Sequence, residues 1–445
     1  MMYACLDDFC KKLQTIIESG NLWRDKSPAT LMTLLRLYYP KDATDPRDKI
    51  YGLLGLVREW GSEQIQPDYT ISHDRLYHKV ALHSILVTKT LEFLAYKADK
   101  ILEKGQHYQA IAAIGEAIFY YTPLPRNAGS YSRDRKKEAK RKGKPAPVEL
   151  PLSSWVTDWG RINDLGYEDS VSERINRALA FDASGGRPAL IPQGMLYTSD
   201  PALVPSAILP VSVFRVGKVL GKQEGGGDYS NQFCIHDNYP IKIDEDYFPL
   251  PMNSNKHLAQ AYRPGGGTRY DAICRAICGD VFFNTSSSSA DTIQAGSGAM
   301  FRRATKDDIK SVRLWRKWMH RGKTSEYGGY APPDLKDFDD QEVYARVVEA
   351  NRAIRSVGLL RRFVEVDSGH VGMVADAYQG DEIVVIMGAR TAFAIREVGE
   401  LNIGEIGKKM VHMIVGECYL VGDMDGQLVE KMEKEGKKPE EMYVV

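Results

Sequence analysis

Residues Ala43–Val57 read ATDPRDKIYGLLGLV. Asp45 is placed to cap a helix, and Pro46 suits a first helical turn, where its missing N–H would have no partner in any case. Asp48 follows three residues after the cap, where a carboxylate meets the positive end of the helix dipole. Ile50, Leu53 and Leu54 fall at i, i+3 and i+4, so one face is apolar, and Gly55 is the stop signal. The run predicts a short, well-capped, buried helix. Other helices flank it. Residues 2–19 carry Leu6, Phe9, Leu13, Ile16 and Ile17 at helical spacing. Ser27-Pro28 opens a second helix with Leu31, Leu34 and Leu35 facing inward. Another opens at Ser72, with Asp74 in its first turn, and runs through Leu76, Val80, Ile85 and Leu86 toward Tyr96. Four helices within about 100 residues make a helical subdomain. Arg47, Asp48 and the hydroxyl of Tyr51 or Tyr69 are candidates for one hydrogen-bond network.

The wording of the central run, with Asp45, Pro46, Arg47, Asp48, Tyr51, Leu54 and Gly55, resembles the closing motif of the fungal heterokaryon-incompatibility (HET) domain. Later segments agree with that family in type and order. Gln66–Thr70, which contains Asp68 and Tyr69, leads into the long helix. Leu152–Trp159 reads LSSWVTDW and is similar to the family's L-P-S-W-V-P-D-W, through Trp155, Asp158 and Trp159. Gly380-Asp381, Ile386–Arg390, Val415–Tyr419 (with Gly416, Glu417 and Tyr419) and Gly422–Gly426 resemble its C-terminal region. The resemblance implies a role in self/non-self recognition and the cell death that follows hyphal fusion. It also implies that the first helices are the later part of a fold like the Toll/interleukin-receptor domain, some members of which cleave NAD. The family's L-S-Y-x-W-G-like opening strand and its W-I-D-x-L-C-I-x-Q-like segment are not found here. The expectation is therefore a shortened member or a truncated gene model, with any NAD chemistry belonging to the absent half and no activity transferred.

Composition narrows the classes. The chain has 445 residues, enough for two or three domains with proper cores. Lys+Arg and Asp+Glu are both 59, so nothing global draws the chain to nucleic acid or a membrane surface. The six cysteines are scattered and form no disulfide framework, which suits a reducing compartment. Asp7, Asp8, Lys11 and Lys12 among the first apolar residues read against a signal peptide there, and no apolar run approaches the roughly 18 residues of a membrane span. Cytoplasm is expected, or the nucleus if Arg133–Lys144 is an import signal. That stretch carries eight basic and two acidic residues without apolar periodicity. A solvated loop is the preferred reading, over an import signal or a nucleic-acid patch.

Beyond it, Trp155 and Trp159 read as buried anchors, and residues 189–222 suggest several strands. Gly225–Gly227 and Gly265–Gly267 are turns. The second precedes a helix capped by Thr268 with Asp271, but lacks the lysine and hydroxyl spacing of a phosphate loop. Cys274 and Cys278 lie on one helical face and read as buried thiols, not zinc ligands. Thr305 and Asp308 cap a helix with Ile309, Val312, Trp315 and Met319 inside and Lys310, Arg313, Arg316, Lys317 and Arg321 on a solvated face. A further helix covers about 340–355. The end of the chain predicts five strands: Phe363–Val366, Val371–Val374, Glu382–Met387, Thr391–Val398 and Met410–Val421. Alternation places Phe363, Val371, Ile383, Val385, Phe393, Ile395, Ile414 and Cys418 in their core, with Glu417 and Tyr419 on the opposite face, within reach of water or of each other's neighbours. Leu428–Lys434 closes as a short helix.

The expected class is α+β: an N-terminal helical subdomain, a mixed middle and a small five-stranded barrel-like unit, divided at 1–100, 101–149, 150–335 and 336–445. None of the common catalytic templates occurs, and none of the nine histidines sits in a recognisable catalytic neighbourhood; His370 and His412 read as strand residues. Glu417 among apolar strand residues needs a cation, with Arg390 or Arg396 as candidates. No cofactor or metal is expected, a protein partner is, and the motif residues read as structural. A nucleotide-cleaving enzyme and a nucleic-acid binder acting through Arg133–Lys144 are the alternatives to a regulatory or interaction protein.

Overall fold

The computed structural model describes residues 29–96, 152–160, 175–191, 208–220, 259–284, 301–319 and 336–445, apart from 39–40, 42, 62–63, 337, 359–360, 376 and 404–405, together with residue 20. The expected helix at 2–19, the start at Ser27-Pro28, the basic stretch and Gly225–Gly227 lie outside these residues.

Helix α1 (Leu31–Tyr38) begins after Thr30, whose hydroxyl accepts from the Thr33 amide at 3.2 Å, so the described helix starts later than the Ser-Pro signal suggests. Leu31, Leu34 and Leu35 are buried as expected. The central run departs from its reading. Helix α2 (Asp48–Tyr51) is one turn, and its N-cap residue is Arg47, with no side-chain cap. Asp45 spends its carboxylate on the Arg47 amide at 2.9 Å and on the Arg47 guanidinium, so it shapes a turn, not a helix cap. Gly52 ends the helix, and Gly55 sits inside a 3₁₀ turn, Leu54–Leu56. Glycine at 52 costs the helix about 1 kcal/mol against alanine, enough to break a run this short.

Helix α3 (His73–Thr88) does start at Ser72, whose hydroxyl accepts from the Arg75 amide. It stops at Lys89, in the left-handed region, and does not reach Tyr96; Glu92–Tyr96 is a 3₁₀ turn. Two threonines account for the stop. The Thr88 hydroxyl turns back to the Ser84 carbonyl at 2.8 Å and accepts from the Thr90 amide at 3.2 Å, which competes with continued helix.

Strands β1 (Leu209–Lys218), β4 (Arg361–Glu365), β5 (Val371–Ala375), β6 (Glu382–Ile386), β7 (Ala392–Asn402), β8 (Lys408–Leu420) and β9 (Glu440–Val444) form one sheet in the order β4-β5-β8-β7-β6-β1-β9. The five expected strands are all present. Closure, however, comes from two strands outside the expected unit: β9 pairs with β1 along Leu209–Val213 and, in parallel, with β8 at Val411 and His412. The ring β8–β7–β6–β1–β9 is thereby complete. The far end of β1 meets the end of β4 through the Val219–Val366 bridge. The sheet thus joins segments on both sides of residue 335. Of the several strands suggested in 189–222, the described part contains one, β1.

Both faces of this sheet are covered. On one, Val213, Val384, Phe393, Ile395 and Ile414 pack with the N-terminal helices, Trp155 and Trp159. On the other, Phe214, Val371, Ile383, Val385 and Cys418 pack with Phe181, Tyr262 and helix α4 (Arg269–Ile277). The residues expected in a single core therefore divide between two, and Phe363 is only half-buried. Glu417 and Tyr419 are buried, not turned to water. Alternation marks burial only when one face of a strand is solvated. A third core holds α4 against helices α5 (Lys306–Met319) and α6 (Gln341–Gly358), beside the short hairpin β2 (Val281–Phe283) and β3 (Phe301–Arg303). There the Trp315 indole donates to Asn351 at 3.0 Å. Arg316, read as solvated, is buried over the Tyr270 ring.

Candidate functional site

The N-terminal motif residues come together in one surface network. Arg47 is its hub: it is paired with Asp45 at 2.7 Å and donates to the Tyr69 and Ile71 carbonyls at 2.6 and 3.1 Å. The guanidinium lies 5.1 Å from the centre of the Tyr69 ring. The Tyr69 hydroxyl donates to Asp48 at 2.6 Å, and its ring meets Tyr51 edge-on at 5.1 Å. The Tyr51 hydroxyl donates to the Asp68 carbonyl, while Asp68 accepts from the Thr70 amide. Tyr77, from α3, donates to the Pro46 carbonyl at 2.8 Å. Arg47 hydrogen bonds hold the Asp45 carboxyl down at about 2, and the bond to Asp48 pushes the Tyr69 phenol up. An open cleft of about 700 Å³ lies along Thr44–Asp48, Ser72 and His73. Leu54 packs half-buried on the core, and Gly55 is exposed.

Trp155 and Trp159 are buried, edge-on to His78 and Tyr96 respectively, so neither indole faces a ligand. Asp158 accepts from the Gly160 amide at 3.2 Å.

The C-terminal motif residues serve as ties. The Gly380 amide donates to the Val219 carbonyl, and buried Asp381 accepts from Arg396 Nε and Nη2 at 2.8 and 2.7 Å. Gly416 lies opposite Ala394 in the ladder. Glu417 pairs with Arg361, not with the expected Arg390 or Arg396; Arg390 reaches Glu92 instead. Tyr419 packs on Phe181, ring centres 5.5 Å apart. In the turn Gly422–Gly426, Asp423 bonds His370, the Met424 carbonyl accepts from the Asp182 amide, Asp425 pairs with Arg303, and Gly426 packs against Gly185.

The chain is similar to heterokaryon incompatibility protein 6, OR allele, of Neurospora crassa, 24% identical over 410 residues. The match covers 89% of this chain and 51% of that protein, so the chain spans about half the length of the curated relative it matches. No family model matches the chain, and no solved structure matches it. The match supports a HET-like relationship.

Two features of the second region carried no signal in the sequence. Arg361 and Glu417 are far apart in the chain and meet only because β5 lies between their strands. His370 lies in the hairpin turn before β5 and not in a strand, and its partner Asp423 is 53 residues away. His412 is in β8 as expected. Cys274, Cys278 and Cys418 are buried free thiols; burial pushes Cys274 up to about 11 and Cys418 to about 12, so neither is a thiolate at neutral pH. Among the described residues no grouping of three His, Cys, Asp or Glu side chains could hold a metal ion, and no helix is long and apolar enough to cross a membrane. The Gly265–Gly267 turn, considered for phosphate, has Gly265 packed against Gly422, and the Thr268 hydroxyl is committed to capping α4 at Asp271.

Proposed function

We propose that this chain is a heterokaryon-incompatibility-type protein of fungal self/non-self recognition. It acts in the cell death that follows fusion of unlike hyphae, as an interaction or regulatory protein in the cytoplasm or nucleus. Its N-terminal helices are then the counterpart of the later part of a HET domain. The similarity to an incompatibility protein supports this reading. The observation that carries the interaction role is Tyr69. It is 55% exposed, yet its hydroxyl, ring face and backbone carbonyl are all held by Asp48 and Arg47. An exposed aromatic that is already immobilised loses little entropy on docking, which is how interface anchors gain affinity. A protein partner is the fitting ligand for a shallow, mixed-charge surface of this kind.

The test uses two fungal strains that differ only in this gene, fused with a strain of unlike type. Death of fused cells is expected with the gene, and survival with its Tyr69→Ala variant at equal protein level. Equal survival with and without the gene would remove the proposal.

A further inference from the structure

The tip of the β4–β5 hairpin carries an arrangement that the function above does not use. The Ser368 hydroxyl lies 2.8 Å from His370 Nδ1, and His370 Nε2 lies 2.5 Å from Asp423 Oδ2. His370 and Asp423 are buried, and Ser368 is exposed. An ionised carboxylate can only accept, so Nε2 carries a proton, and in the neutral ring Nδ1 turns its lone pair to the serine hydroxyl. These are the roles of a Ser-His-Asp triad with the two ring nitrogens exchanged.

The backbone around it is fixed. The Tyr262 hydroxyl accepts from the Val371 amide at 3.1 Å and donates to the Val421 carbonyl at 2.9 Å, so one side chain clamps the segments that bear His370 and Asp423. The Val421 amide also donates to the Val371 carbonyl at 3.0 Å. A Cβ built on Gly369 meets nothing within 4 Å, so the approach beside Ser368 is open.

We propose that Ser368, His370 and Asp423 form a nucleophilic serine centre that accepts an acyl group from a small activated ester. The Ser368 hydroxyl proton passes to Nδ1 as Oγ bonds the carbonyl carbon. The carbon–oxygen bond to the leaving group then breaks, and the imidazolium returns its proton to the departing alkoxide. Water attacks the acyl-serine by the same route, giving the carboxylic acid and free Ser368. The Asp423 carboxylate orients His370 and balances the imidazolium charge.

The full chain is treated with a fluorophosphonate probe and with 4-nitrophenyl acetate, and modified peptides are mapped by mass spectrometry. Modification at Ser368 is expected above that of other exposed serines. Ser368→Ala should abolish the mapped modification, and the near-isosteric Asp423→Asn should slow it by about 100-fold or more. If His370→Ala fails to fold, the Asp423→Asn rate decides. A merely structural tie predicts that Asp423→Asn lowers the melting temperature while Ser368 stays unreactive. That result, or a rate independent of Asp423, overturns the proposal.

Discussion

Glu417 and Arg361 are buried together, and the value of such a pair lies in its completeness. Removing one partner strands a charge in a low-dielectric core, whereas replacing both with apolar residues of similar size relieves it. Glu417→Leu alone is expected to cost about 3–5 kcal/mol, and Arg361→Met with Glu417→Leu to recover most of that. Denaturant midpoints of the two variants test this; equal midpoints would mean the pair is not coupled. His78 acts through desolvation. It is buried on α3, bonded to Ser153 at 3.0 Å, and burial pushes its pKa down despite the bond to the Asp74 carbonyl. The unfolded chain therefore takes up this proton first as pH falls. The stabilisation is complete above the unfolded value near 6.5 and is lost as pH falls from there through the folded value. Melting temperature should drop between pH 7 and 5 more steeply in the parent than in His78→Gln. Parallel slopes would exclude His78 as a source.

At the scale of elements, the caps at Ser72, Thr268 and Thr305 were legible because a cap is local: one hydroxyl and an amide three residues on settle it. Asp45 looked the same in the sequence and is not a cap, because Arg47, two residues away, offers its carboxylate a charged partner. Turns depend on what they approach. Gly422 has φ +104, and a Cβ there would lie 2.8 Å from the Gly265 Cα; Gly369 has φ +88 and open space. Alanine at 369 carries only backbone strain, about 1–2 kcal/mol. Alanine at 422 adds a clash with backbone that cannot rotate away, so Gly422→Ala should have the clearly lower denaturant midpoint. Equal midpoints would mean that the contact with Gly265 yields.

At the scale of the molecule, the sheet closes only with β1 and β9, the latter's chain end tied by Val445 to His412 and Ser154. A fragment of residues 336–445 keeps β4–β9 but exposes the edges that β1 covers, and loses Val211 and Val213 from one core and Phe214 from the other. It is expected not to unfold cooperatively. Adding a peptide of residues 208–220 should restore a cooperative transition and β-type circular dichroism. A cooperative transition in the fragment alone would show that the ring is dispensable.

The sequence by itself determined what short-range chemistry can fix: the helix starts at Ser72, Thr268 and Thr305, the existence of five C-terminal strands, and the burial of Trp155, Trp159, Cys274, Cys278 and Cys418. Each rests on residues within one turn or one strand of each other, or on the large apolar gain from burying an indole. Only the tertiary structure decided which strands close the sheet, which of Arg361, Arg390 and Arg396 meets Glu417, and that Ser368 and His370 stand against Asp423. Those depend on strand order, and strand order is set by the packing of two covered faces. With both faces apolar, the sequence of a strand names neither its neighbour nor its inner side.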